Sequence, residues 1–111
     1  MNQQRLLIAA LLATSAFAAG AAALGDQVQA MSETGRRNFT GMLIRQSGAE
    51  CPTVQRTFFQ GKLDKNVVWN VACSNKASYG IVFYGDESNT TRVMKCSELK
   101  ELGASGCFKK F

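Results

Sequence analysis

The sequence predicts an α+β domain: one amphipathic helix packed on a four-stranded antiparallel meander, with a short C-terminal helical turn, two disulfides and an N-terminal signal segment. Three observations carry this expectation. An apolar leader follows a single early positive charge, Arg5. Hydrophobic residues recur first at helical spacing and then, from Val54, at every second position. Four cysteines follow the leader, an even number in a chain of 111 residues.

The leader reads Leu6-Leu7-Ile8-Ala9-Ala10-Leu11-Leu12-Ala13 and then small residues. A positive start, an apolar run and a small-residue cleavage region make a secretory signal peptide. Ala16-Phe17-Ala18, Ala21-Ala22-Ala23 and Val28-Gln29-Ala30 each end in alanine, so cleavage is expected after Ala18, Ala23 or Ala30. Residues 19–30 show no sustained periodicity. Residues 1–30 are therefore assigned to signal peptide and disordered leader, and 31–111 to a single disulfide-stapled domain. The alternative is an uncleaved anchor, because Leu6 to Leu24 is free of charge over 19 residues, close to the roughly 20 that a spanning helix needs. The strongly apolar part ends at Leu12, which favours cleavage.

Export to the periplasm or medium implies an oxidising compartment, and there Cys51, Cys73, Cys96 and Cys107 form two disulfides. A domain this small buries a modest fraction of its surface. Two bridges adding about 3 kcal/mol each are a large share of a net stability of about 5–15 kcal/mol.

Within residues 32–48, Phe39, Met42, Leu43 and Gln46 follow the i, i+3, i+4, i+7 pattern, with Arg36, Arg37 and Arg45 off the stripe and Gly48 as a stop. Four strands follow, at about 54–63, 66–73, 79–85 and 91–96. Their links are Leu63-Asp64-Lys65-Asn66, Ser74-Asn75-Lys76-Ala77 and Gly85-Asp86-Glu87-Ser88-Asn89, short enough to join antiparallel neighbours. Trp69, Val71 and Cys73 share one face of the second strand, and Ile81 and Phe83 one face of the third; these line the core. Ser97 is expected to cap a helical turn from Glu98 to Leu102, ended by Gly103. In such a meander Cys51, Cys73 and Cys96 lie at one end of the sheet. Cys51 and Cys73 belong to adjacent segments, whereas Cys96 is two strands from Cys73, beyond the usual Cα separation of about 4.4–6.8 Å. Of three possible pairings, Cys51–Cys73 with Cys96–Cys107 is expected.

The composition narrows the chemistry. There is no histidine, which removes Ser-His-Asp and Cys-His catalysis and most transition-metal sites. The cysteines lack the Cys-x-x-Cys spacing of thiol oxidoreductases. Asp64, Asp86 and Glu87 fall in turns rather than across a cleft, so a carboxylate-based hydrolase is the least favoured class. No Gly-rich phosphate cradle is present. No enzyme activity, cofactor or metal is expected.

The net charge is +5, and removing residues 1–30 takes away one Arg and one Asp and leaves it unchanged. In an exported protein such a balance points to a protein or an anionic envelope component as partner, not to nucleic acid. Membrane contact is expected only if the N-terminal helix is retained, which would make the chain an accessory subunit of an inner-membrane complex. Aromatics fall on both faces of the strands, Phe58 against Phe59 and Phe83 against Tyr84. One face is covered by the helix; the other is exposed, covered by the tail, or docked on a partner. The C-terminus, Cys107-Phe108-Lys109-Lys110-Phe111, mixes rings with positive charge and could touch an anionic surface. Phe58, Tyr84, Phe108, Lys109, Lys110 and Phe111 are the candidate binding residues.

One helix followed by strands carrying Trp69-Asn70-Val71-Ala72-Cys73-Ser74 and Tyr79-Gly80-Ile81-Val82-Phe83, then Cys96-Ser97-Glu98-Leu99 closing on Cys107-Phe108, resembles small exported proteobacterial proteins of unassigned function. The element order over residues 32–107 is also similar to a PepSY-type module, a small helix-plus-antiparallel-sheet domain of exported proteins. That resemblance implies an inhibitory or regulatory binding role without catalysis. It transfers no functional residue.

Overall fold

A computed structural model describes residues 24–86, 88 and 90–111. The apolar leader, with the candidate cleavage ends Ala18 and Ala23, lies outside the described residues, and so does Glu87. The elements are α1 (Leu24–Ala30), α2 (Glu33–Gln46), β1 (Val54–Leu63), β2 (Asn66–Cys73), β3 (Ser78–Phe83), β4 (Thr91–Lys95) and a 3-10 helix, Cys96–Leu102.

The strands pair antiparallel in the order β1-β2-β3-β4, the expected meander. The sheet is the middle of three layers. On one face α1 and α2 cover Val67, Trp69, Val71, Cys73, Ile81 and Phe83. On the other, the 3-10 helix and the tail cover Val68, Val82 and Met94 with Leu99 and Ala104. Of the three fates open to the second face, the structure shows cover by the chain's own C-terminus. Buried positions are therefore consecutive along much of β2 and β3, since each strand sends successive side chains to opposite layers and both layers are covered.

Folded structure begins earlier than Met31. Residues 24–30 form a helix, where the sequence suggested a disordered leader, and Val28 of that helix is fully buried. Leu24 and Val28, four residues apart, give α1 its narrow apolar edge. Gly25 lets it approach β2: a Cβ there would stand 2.8 Å from Val67 Cβ. Two apolar residues in one short segment are too few to register as periodicity.

The helix α2 forms where expected, but its buried stripe is rotated. Thr40, Gly41 and Ile44 are buried, whereas Met42, on the expected stripe, is 39% exposed. Thr40 can face inward because its hydroxyl donates to Arg36 O at 2.8 Å. Ser32 caps the helix, its hydroxyl accepting from Gly35 N at 3.1 Å, as short hydroxyl side chains do.

Two bulges in β1 interrupt the alternation, between Val54 and Arg56 and between Phe59 and Gly61. An extra residue shifts the pairing phase. After the second bulge, Leu63 joins the tail-side cluster, and Lys62 reaches Asp26 of α1 at 3.4 Å.

Both expected disulfides are present, Cys51–Cys73 and Cys96–Cys107, each with a Cα separation of 5.3 Å. Ser97 does not cap the C-terminal turn. The 3-10 helix starts two residues earlier, at Cys96, and Glu98 Oε1 accepts from Lys95 N at 3.0 Å instead. Gly103, with φ of 84°, ends it as expected.

The 3-10 helix makes a close approach to β3. A Cβ on Gly80 would lie 2.8 Å from Leu99 Cδ2, and Leu99 is fully buried. Gly80→Ala is therefore expected to cost about 1–3 kcal/mol through overpacking, which for a domain of this size lowers Tm by roughly 5–15 °C. A thermal scan reads this directly, and an unchanged Tm would mean that Leu99 can swing clear.

Candidate binding face

The C-terminal tail is fixed to the sheet by two amides. Gln60, in the second bulge of β1, and Asn70, in the middle of β2, are both buried. Asn70 Nδ2 donates to Gln60 Oε1 at 2.8 Å. Gln60 Nε2 donates to the carbonyls of Gly106 at 2.6 Å and Lys109 at 3.0 Å. Asn70 Oδ1 accepts from Phe108 N at 2.7 Å. Burial of two amides is tolerated because the tail backbone supplies the partners. Phe108 adopts φ of 60°, a left-handed conformation unfavourable for a ring-bearing residue; the Asn70 bond and the adjacent Cys96–Cys107 bridge hold it there.

Fixed in this way, the tail lays its rings and cations along β1. Phe108 packs edge-on against Phe58, with centroids 6.0 Å apart. The Arg56 guanidinium sits 4.7 Å from the Phe108 centroid and 5.4 Å from that of Phe58. The Lys110 ammonium lies 5.3 Å from the Phe58 centroid and 4.5 Å from that of Phe59, and donates to Phe59 O. Cations over ring faces are attracted by the ring quadrupole. Phe111 is 46% exposed, beside Gly61, where a Cβ would come within 3.0 Å of its ring. Lys109 is exposed.

Five of the six candidate residues, Phe58, Phe108, Lys109, Lys110 and Phe111, thus share one face. Tyr84 does not join them: it follows Phe83 at the end of β3 and packs on the Val68–Val82 cluster. Arg56, Gln60 and Asn70 are the additions that sequence reasoning missed. An amide at a strand position between the apolar Val68 and Ala72 on the same face was the available signal for Asn70.

Among the described residues, no ion pair engages Arg56, Lys109 or Lys110. Several described acids meet other groups. Asp26 meets Lys62, and Glu101 meets Arg92. Asp86 accepts from Ser88, while Asp64 occupies the β1–β2 turn. No group of three or more His, Cys, Asp or Glu side chains among the described residues is placed to hold a metal ion. No described helix is long and apolar enough to cross a membrane.

Glu33, at the start of α2, carries a clear perturbation of its titration. Burial raises its pKa, but the hydrogen bond from Thr57 and the neighbouring Arg37 and Arg36 outweigh this, and its carboxyl lies below the ordinary value. A depressed folded-state pKa stabilises the fold above the unfolded value of about 4.3, and this contribution is lost as pH falls through the folded pKa. Glu33→Gln is expected to flatten the acid limb of the stability–pH curve below about pH 4.5, read by urea titration at several pH values. An unaltered limb would remove Glu33 from the acid response.

Comparison with family models, with curated proteins and with solved structures returned no match.

Proposed function

We propose that the chain is an exported, non-enzymatic binding domain that recognises an anionic envelope component through the face built from β1 and the C-terminal tail. The observation that carries this reading is the set of three cations, Arg56, Lys109 and Lys110, without carboxylate partners among the described residues, beside the rings of Phe58, Phe108 and Phe111. Cations interleaved with aromatics suit an anionic surface, with the charges drawing the domain in and the rings resting at the boundary. The two disulfides are compatible with an oxidising extracellular compartment, and the signal-like leader supports export. A similarity to PepSY-type modules in element order fits a binding rather than catalytic role. The face also offers contact with a membrane surface that does not depend on retaining the leader.

Sedimentation with phosphatidylglycerol vesicles should show binding that weakens with added salt and is absent on neutral phosphatidylcholine vesicles. Each cation near such a surface contributes about 1 kcal/mol. The triple variant Arg56→Ala, Lys109→Ala, Lys110→Ala should therefore bind on the order of 100-fold more weakly. Equal binding to both vesicle types, or none to the anionic vesicles or to a soluble polyanion, would overturn the reading.

A further inference from the structure

We infer that α1 belongs to the mature protein and that export processing falls upstream of Leu24, after Ala18 or Ala23, and not after Ala30. The inference rests on the export reading and narrows the alanine-ended sites that reading can use. Cleavage after Ala30 would discard Val28, which is fully buried in the principal core with Ile44, Trp69 and Phe83. It would also discard Leu24 and Gly25, which close the same layer over Val67.

The electrostatics point the same way. The guanidinium of Arg36 is built around the end of α1. Its Nε donates to Val28 O at 3.0 Å, and its Nη2 to Gln29 O at 2.9 Å and Met31 O at 2.8 Å. The other nitrogen, Nη1, pairs with Glu33 at 2.9 Å. Loss of residues up to Ala30 removes two of the three carbonyls. It also places a new α-amino cation on Met31, next to the Arg36 guanidinium.

The test uses the full chain expressed with its own leader in a secreting bacterium. Intact mass and N-terminal sequencing of the exported, disulfide-bonded protein should give a first residue of Ala19, or of Leu24. A first residue of Met31 would overturn the inference while leaving export intact. A disulfide-bonded chain recovered with its leader attached would overturn the inference in favour of a retained anchor, whereas a chain found only inside the cell with reduced cysteines would overturn the export reading. A second variant joins the leader through Ala18 directly to Met31, deleting residues 19–30. It should accumulate several-fold less disulfide-bonded protein. Accumulation equal to the parent, with the same melting curve, would show that α1 is dispensable and overturn the inference independently.

Discussion

Cys51→Ser combined with Cys73→Ser should be the most damaging substitution pair in the domain, costing on the order of 4–6 kcal/mol. Chain entropy supplies about 3 kcal/mol of this. Burial supplies the rest, because both sulfurs lie within the principal core, and serine would place two hydroxyls there without designed partners. The bridge also joins the segment after α2 to the end of β2, where Val54 pairs with Cys73. Arg45 adds a bond from Nη1 to Cys51 O at 3.0 Å. The second bridge, Cys96–Cys107, spans 11 residues rather than 22. That difference is worth only roughly 0.6 kcal/mol in the loop-closure model. Its cysteines are half-buried, so its loss should stay near 3 kcal/mol. Urea unfolding of the two double variants ranks them. Equal midpoints at equal slope would show that the buried position of Cys51 and Cys73 adds nothing to the cross-link.

Arg36→Ala is the second. One side chain caps three carbonyls at and beyond the end of α1, pairs with Glu33, and lies 4.4 Å from the Trp69 ring centroid. Hydrogen bonds from a charged donor are worth about 1.5–3 kcal/mol each where they are desolvated, and these share one guanidinium. The expected loss is about 3 kcal/mol. Part of it falls on Trp69, whose indole Nε1 is buried without a hydrogen-bond partner, so that the cation over its ring is the main polar contact it has. Arg36→Lys should recover little, since an ammonium cannot fork to several acceptors. Amide hydrogen exchange in α1 should rise in both variants while β2 and β3 stay protected. Loss of protection spread evenly over the sheet would instead show that α1 and the sheet open as one unit.

The strands were legible because their β-branched and aromatic runs are bounded by short turn segments, and the disulfides because the meander fixes which cysteines share an end. The helix α1 was not, since its docking depends on Arg36, Gly25 and Val67 rather than on its own composition. The buried stripe of α2 was misplaced for a related reason: Thr40 satisfies its hydroxyl on the backbone and turns inward, so polarity misreports burial. At the binding face, the rings and lysines of the tail stood out as a cluster in sequence. Arg56 did not, because strand position alone does not tell which cation will lie over a ring 52 residues away. Gln60 and Asn70 were hidden because an amide in a strand looks like a solvated position until the backbone it holds is known.

The tail has a consequence for how the protein keeps to itself. An outermost strand presents unpaired backbone groups to which another chain can add. Along β1 the carbonyls of Phe59 and Gln60 are already taken, by Lys110 Nζ and by Phe111 N. The opposite border, β4, is only five residues long and carries Arg92 and Lys95, a brevity and charge that discourage strand addition. The last four residues are therefore a guard against self-association as well as a contact surface. A chain lacking them would present β1 as a ten-residue template, open to a second copy of itself.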